Sequence, residues 1–435
     1  MERKKAALHN LGCKVNAYET EAMQQILEEN GYEIVPFAPG ADLYLINTCT
    51  VTNIADRKSR QMLHKARKMN PKAIVVAAGC YVQASAEELA ADGSVDVVIG
   101  NNRKNDLMKI LKEFEEGRAT ENVIDMKCEK QYENLSIQKT AEHTRAYIKV
   151  QDGCNQFCSY CIIPYTRGRV RSRLEQEVIE EVTELAHHGY QEVVLTGIHL
   201  SSYGTDIGSS LIELIEHVHQ IDGIKRIRLG SLEPGIVTLE FAQRLKNLEK
   251  FCPHFHLSLQ SGCDATLKRM NRRYTTQEYG EKCRLLREVF ENPALTTDVI
   301  VGFPGETEEE FEQTKLFLEE IKFFETHIFK YSRRKGTRAA AMENQVPDSV
   351  KNIRSNELIQ LNEKNQRLFE EAWSDKKVQI LCEEEIEIDG TRYYSGHTKE
   401  YIRTAVEAKD GEENRILSGT LKKELKPHVR LCTID

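Results

Sequence analysis

Three short apolar runs mark the first hundred residues, at 6–11, 43–46 and 73–78. Each ends beside a cysteine: Cys13, Cys49 and Cys80. Each is then followed by a helix-like stretch, at 18–29, 55–69 and 84–91, the first closed by Gly31 and the second by Pro71. A further apolar run at 95–99 and a helical pattern at 104–116 complete the series. Short strands alternating with helices predict an open parallel α/β sheet. Ligands of such sheets sit outside the carboxyl ends of the strands. All three cysteines fall at that end, so they converge although they are far apart in sequence.

The alternation resumes after residue 142. Strand patterns at 146–151, 192–196, 225–230, 254–259, 295–301 and 327–331 are separated by helix patterns at 174–188, 211–220, 239–248, 276–290 and 307–321. Six strands joined by helices predict a parallel sheet curled into a partial (βα)6 barrel. A charged helix at 353–373 follows. Alternating apolar positions from Val378, a turn at Gly390 and strand patterns at 401–406, 416–418 and 429–434 predict a small antiparallel β-barrel. The fold class is therefore α/β with an all-β tail. The expected division is 1–117 for the first sheet, 118–141 for a linker, 142–343 for the barrel, 344–376 for a linker helix and 377–435 for the small β-barrel.

At 435 residues the chain has room for two or three domains. Its net charge of −8 does not mark a nucleic-acid binder, so any RNA contact must use local patches. No apolar signal segment follows Lys5, and no apolar run is long enough to span a bilayer. Twelve cysteines are too few for a disulfide scaffold at this length, and reduced thiols fit the cytoplasm. Cys128, Cys252, Cys263, Cys283, Cys382 and Cys432 lack ligand-like company and read as structural.

Cys154, Cys158 and Cys161 form the densest chemistry in the chain: three thiolates at i, i+4 and i+7, with no fourth nearby. Three ligands hold three irons of a four-iron cluster and leave the fourth open, whereas a closed structural site wants four ligands. Phe157 and Tyr160 can shield such a cluster from water. Cys13, Cys49 and Cys80 suggest a second cluster of the same kind.

The run Cys-Asn-Gln-Phe-Cys-Ser-Tyr-Cys resembles the signature of radical S-adenosylmethionine (SAM) enzymes. Together with Gly12-Cys13-Lys14-Val15-Asn16, Asn47-Thr48-Cys49-Thr50-Val51 and Gly79-Cys80-Tyr81, it resembles the methylthiotransferases over nearly the whole chain. The first two strings are most similar to the MtaB branch, which acts on N6-threonylcarbamoyladenosine beside the anticodon of tRNA. The MiaB branch, acting on isopentenyladenosine, usually reads Gly-Cys-Gln-Met-Asn. The RimO branch, acting on a ribosomal protein, usually reads Gly-Cys-Pro-Lys-Asn.

The resemblance implies two [4Fe-4S] clusters, SAM chelated at the open iron of the Cys154/Cys158/Cys161 cluster, and a 5′-deoxyadenosyl radical made by one electron. A flavodoxin or ferredoxin system is the implied reductant; the sulfur donor is unspecified. The implied SAM-binding strings lie at the strand ends. Gly197 would let backbone approach the cofactor. Ser231, Glu233, Ser258 and Gln260 would bind its ribose and methionine ends, Asp298 would line the barrel interior, and the backbone around Phe303 would hold adenine. His199 reads as a surface histidine at a strand end.

Basic residues recur at the same rim and suit phosphate contacts. The candidates are Arg167, Arg169, Arg272, Arg273, Arg333, Arg334 and Arg338, with the run from Arg57 to Lys68 in the first domain. Arg167 or Arg169 could instead pair with the SAM carboxylate, and Arg333, Arg334 or Arg338 with the threonylcarbamoyl carboxylate. Gly396-His397-Thr398 and Tyr401 resemble a TRAM domain, a small RNA-binding barrel, with Lys422 and Lys423 as RNA candidates. Two rival readings stand beside this one: a methylthiotransferase acting on protein, and a non-catalytic RNA-binding protein holding zinc at these cysteines.

Overall fold

A computed structural model describes residues 3–118, 121–138, 144–409 and 411–434. The expected boundary at 141/142 lies outside the described residues. The first sheet has six parallel strands in the order Glu33–Ile34, Lys5–Asn10, Leu43–Thr48, Ile74–Gly79, Val97–Ile99 and Glu121–Asn122. Leu43–Thr48 is buried along its whole length because helices cover both faces, which is why it reads as a continuous apolar run. Helices begin earlier than the apolar spacing indicated, at Lys14, Asn53 and Cys80. Their first turns mix apolar and polar residues, such as Val15 beside Asn16 and Tyr81-Val82 beside Gln83, too briefly to show a helical period.

The middle of the chain forms the expected partial barrel in two hydrogen-bonded pieces. One holds Arg226–Leu229, Glu192–Gly197, Arg145–Asp152 and a short antiparallel strand, Arg171–Ser172, that the sequence did not announce. The other holds His254–His256, Ala294–Val301 and Glu325–Lys330. A bridge between Leu232 and Leu257 joins them. The fourth strand stops at His256 rather than 259; four residues on, Gln260, at φ +70°, makes an isolated bridge to Val299. Alternation along the strands sorts the side chains. Ala146, Ile148 and Val150 pack outward under the helices with Val193, Leu195, Ile227 and Leu229. Arg145, Lys149, Gln151, Glu192 and Arg228 alternate with them and face the lumen.

The tail is a closed five-stranded barrel of Lys377–Ile388, Thr391–His397, Arg403–Glu407, Val429–Ile434 and Ile416–Lys426. One pair, Arg403–Glu407 with Val429–Ile434, is parallel, so the barrel is not wholly antiparallel. The strand Thr391–His397 went unpredicted beyond its turn. Asp389 and Gly390, at φ +49° and +76°, form the tight turn that creates it.

This small barrel closes the floor of the large one. Arg226 donates to the carbonyls of His397 and Gln379 at 2.8 and 2.7 Å, and Arg228 to those of Lys399 and Thr398 at 2.8 and 2.5 Å. Arg145 pairs with Glu383. The Tyr401 ring stacks between His254 and His397, at 4.8 and 4.4 Å, with Arg145 and Arg228 over its face. Glu192 lies beneath, within 3.5 Å of all three guanidiniums. Burial alone would raise its pKa. Arg228, Arg145 and Arg226 overrule that and lower it to about 2. A depressed folded pKa adds stability above the unfolded carboxyl value, and that stability is lost as pH falls through the folded value. Glu192 should therefore contribute about 3 kcal/mol at neutral pH, lost between about pH 4.5 and 2. Glu192→Gln should remove it, and urea unfolding at pH 7 and pH 3 should show the variant's deficit shrinking at the lower pH.

Candidate functional site

Both cysteine groups stand at turns that only glycine can open. Gly12, Gly79 and Gly153, each just before a cysteine, have φ of +114°, +97° and +73°. A Cβ on Gly12 would lie 3.0 Å from the Cys49 Cβ and 3.2 Å from its Sγ. One on Gly79 would lie 2.4 Å from Asn47 Oδ1, and one on Gly153 1.8 Å from the Arg169 carbonyl. Close approach and a left-handed turn thus both require glycine.

Cys13 caps the helix Lys14–Glu29, and Cys49 and Cys80 follow the next two strands of the sheet. Asn16 staples these turns, donating to the carbonyls of Leu11 and Thr48 at 2.8 and 3.0 Å. Arg167 donates to Cys80 Sγ at 3.1 Å and to Asn16 Oδ1 at 2.8 Å, Asn16 Oδ1 lies 4.0 Å from Cys13 Sγ, and Gly12 packs on Cys49, so the three share one site. Burial pushes the Cys49 thiol up to about 12.

The second group lies on the loop after Arg145–Asp152. Phe157, at φ +50°, bends that loop between Cys154 and Cys158. Its carbonyl accepts from Asn271 at 3.1 Å and Arg338 at 2.9 Å. Ser159 is tied to the carbonyls of Met270 and Arg269, at 2.9 and 2.8 Å. Burial raises Cys154 to about 11 and Cys161 to about 12. Such thiols stay protonated until a metal displaces the proton, which suits ligands better than free nucleophiles.

A buried arginine reaches one sulfur of each group. Arg167 donates from Nε to Cys80 Sγ at 3.1 Å, and Arg272 to Cys158 Sγ at 3.2 Å. Arg167 also binds Glu19, Asp152 and Asn16, all within 3.2 Å. Arg272 is clamped by both Glu233 oxygens, at 2.7 and 2.8 Å. N–H donors on sulfur stabilise thiolates and tune cluster potentials. The geometry also bears on zinc. Three thiolates on one zinc ion stand about 3.8 Å apart, from Zn–S bonds of about 2.3 Å. Among the described residues the metal-ligating groups that close within 4.8 Å are His256, Asp298 and His327, and neither cysteine triad is so tight.

The arginines required correction. Arg167, Arg272 and Arg334 were expected at the RNA surface, but they are buried or nearly so and held by protein groups. Arg334 reaches across to Asn53, Asp56 and Thr50 of the first domain. Arg169, Arg273, Arg333 and Arg338 remain exposed around the mouth, Arg169 stacked 4.6 Å over the Phe157 ring. In the tail, Lys422 pairs with Asp375 at 2.8 Å and Lys423 points to solvent.

Among the cofactor candidates, Glu233, held by Arg272, lines a small cavity with Gln156, Cys158, Asn271 and Arg273. Ser258 offers its carbonyl to the Tyr274 hydroxyl at 2.6 Å, and Ser231 is exposed. Gln260 is nearly buried in its left-handed turn. Asp298 lies 3.4 Å from His256. Gly197 owes its identity to packing, since a Cβ would lie 2.8 Å from Gln151 Oε1. The Phe303 ring is fully buried against Tyr331 and Tyr160, and its N–H, like that of Gly302, points to the Glu306 carboxylate, which leaves that backbone committed internally. His199 is not a surface histidine: it packs 3.3 Å from Gln156 and 3.9 Å from Glu233. Sequence reasoning missed the two arginine–sulfur contacts, because both arginines sit in runs that look like solvated basic patches.

Two family models match the chain: the radical SAM superfamily over residues 148–318 and the uncharacterized protein family UPF0004 over residues 5–100. The threonylcarbamoyladenosine tRNA methylthiotransferase MtaB of Bacillus subtilis is 39% identical over 97% of this chain and 94% of its own length. The MtaB of Aquifex aeolicus is 42% identical over 88% and 93%. The chain belongs to the radical SAM methylthiotransferase family. Another member, the tRNA-2-methylthio-N(6)-dimethylallyladenosine synthase of Acetivibrio thermocellus, is 36% identical over 88% of this chain and 81% of its own. Among solved structures, the radical SAM methyltransferase TsrM of Kitasatospora setae shares the fold, with a TM-score of 0.59 at 16% identity over 78% of this chain and 74% of that one. This methylthiotransferase family member carries [4Fe-4S] and SAM chemistry, and among its described residues no helix is long and apolar enough to cross a membrane.

The turn at Gly153 gives a direct test. Gly153→Ala should cost roughly 1–3 kcal/mol from backbone strain, more if the Arg169 carbonyl cannot move. Thermal unfolding should show the loss, and Gly208→Ala, with nothing within 4 Å of the added Cβ, should lose only the strain of a positive φ.

Proposed function

We propose that this chain methylthiolates C2 of N6-threonylcarbamoyladenosine beside the anticodon of tRNA. The observation that carries the reading is the pair of cysteine triads, each with one sulfur under a buried arginine. In this reading Cys13, Cys49 and Cys80 hold one four-iron cluster, and Cys154, Cys158 and Cys161 the other. Residues 1–117 would carry the first, 142–343 the second, and 344–376 and 377–435 would close the barrel floor. Bound there, the clusters and SAM would supply the electron, the radical and the sulfur of the reaction.

The chain's own residues do the rest. Arg272, fixed by Glu233, orients the Cys158 thiolate and neutralises part of its charge. Gln156, Glu233 and Gln260 offer hydrogen bonds at the mouth. Phe157, Tyr160 and Phe303 keep water from the loop between Cys154 and Cys161. Arg169, Arg273, Arg333 and Arg338 ring the opening and would grip the phosphates of the anticodon arm. A cytoplasmic setting and a flavodoxin or ferredoxin reductant belong to the same reading, as does similarity to MtaB proteins of known name.

The reading has two tests. Anaerobically reconstituted protein should bind about eight irons, four per cluster. Replacing either triad by alanine should leave about four, and replacing Cys154, Cys158 and Cys161 alone should abolish SAM cleavage. Zinc in place of iron would end the proposal. In cells, deleting the gene should remove the methylthio mass from threonylcarbamoyladenosine in total tRNA. Loss from isopentenyladenosine would instead assign the other tRNA branch, and no change in tRNA would point to a ribosomal protein.

A further inference from the structure

The last three strands of the large barrel carry two histidines and a carboxylate on one face. Phe255, Leu295, Val299 and Val301 join the outer core under the helices, and Ile328 packs against it. Alternation therefore turns His256, Asp298 and His327 into the lumen. Asp298 and His327 are direct partners on adjacent strands, and His256, the partner of Thr296, stands one diagonal step away. One ligating atom from each residue lies within 4.8 Å of the other two. The rings of His256 and His327 stack with centroids 5.7 Å apart.

Ligand atoms on a tetrahedral zinc ion, bound at about 2.0–2.1 Å, stand about 3.3 Å apart. His256 Nε2 and Asp298 Oδ2 are already at 3.4 Å, too long for a good hydrogen bond between them. The other separations, none above 4.8 Å, close with a turn of the His327 ring, whose side chain is 45% exposed. Outer contacts orient both histidines. Nδ1 of His256 lies 3.0 Å from the Thr296 hydroxyl, which turns Nε2 toward Asp298. Nδ1 of His327 lies 3.7 Å from the Glu325 carboxylate, the kind of group that backs a metal-bound imidazole. Asp298 is also uncommitted. Arginines claim Glu192 on the floor and Glu233 at the rim, whereas among the described residues no lysine or arginine pairs with Asp298. Two imidazoles and one carboxylate suit zinc, cobalt, nickel or ferrous iron, while magnesium and calcium prefer oxygen ligands. Solvent reaches all three side chains, so an ion has a way in.

We propose that His256, Asp298 and His327 hold one divalent transition-metal ion of the zinc class on the lumen wall, apart from both cysteine triads. Three protein ligands leave a coordination position open. That position faces the lumen and would take water or an anionic oxygen of the molecule that enters. The site needs no cysteine, so it stands independently of the function proposed above.

The test uses the full-length chain with its iron clusters reconstituted, dialysed anaerobically against micromolar free zinc. Iron and zinc are counted together, and zinc X-ray absorption reads the ligands. One zinc per chain is expected beyond the iron, with a shell of nitrogen and oxygen at about 2.0–2.1 Å. Asp298→Asn and His327→Ala should each raise the zinc Kd at least 10-fold at unchanged iron content, and Glu325→Gln should raise it by about 10-fold. His327 is exposed, so its replacement leaves the core intact, and circular dichroism checks the fold of each variant. A sulfur shell at about 2.3 Å, or zinc gained only as iron is lost, would place the ion on cysteines and overturn the site. Failure to bind zinc, or binding that His327→Ala leaves unchanged, would overturn it equally. Methylthiolation of tRNA enters none of these outcomes.

Discussion

A buried net of opposite charges holds the two halves of the site in register. Glu19, on the helix after Cys13, receives Lys149 at 2.8 Å, Lys104 at 3.2 Å and Arg167 at 2.8 Å. Lys149 and Arg167 also hold Asp152, at 2.7 and 3.1 Å. Burial would raise both carboxyls, but these cations overrule it and keep them well below their usual range. Glu19 and Lys104 come from the first sheet domain, the other three from the barrel. Removing one member would leave a desolvated charge, a loss of roughly 3–5 kcal/mol. Because Arg167 ends on Cys80, the net that docks the domains also sets the electrostatics of a sulfur. The positive members, Lys104, Lys149 and Arg167, outnumber the negative ones, Glu19 and Asp152, by one.

Much of this was legible in the chain because it depends on local chemistry. The strand–cysteine–helix rhythm announced the first sheet, and the Cys154–Cys161 spacing announced the second site. Glycine before cysteine at 12, 79 and 153 marked the turns in retrospect. What escaped notice depends on partners distant in sequence. Arg167 is 87 residues from Cys80 and Arg334 is 284 from Thr50. In sequence both belong to runs of basic residues, and such runs are usually solvated. Only the fold distinguishes an arginine that grips a sulfur, such as Arg272, from its exposed neighbour Arg273. The Phe303 loop shows the same dependence on the fold: Glu306, three residues on, accepts the Gly302 and Phe303 N–H groups, a pairing the sequence did not announce.

The small barrel at the tail also changes character once its position is known. Its basic residues are largely occupied at home: Arg392 pairs with Glu385, Arg403 with Glu384 and Lys422 with Asp375. Its deepest contact with the rest of the molecule is Tyr401, wedged between two histidine rings. Fold class alone would make it an RNA-binding accessory; its contacts also make it the floor of the large barrel.

With Tyr401 seated at the base, the reaction chamber is a blind alley. The tail thereby fills the floor end of the large barrel, where Arg226 and Arg228 are tied to its backbone. A ligand of the cysteine site is left the opposite rim, where the strands end, as its side of approach.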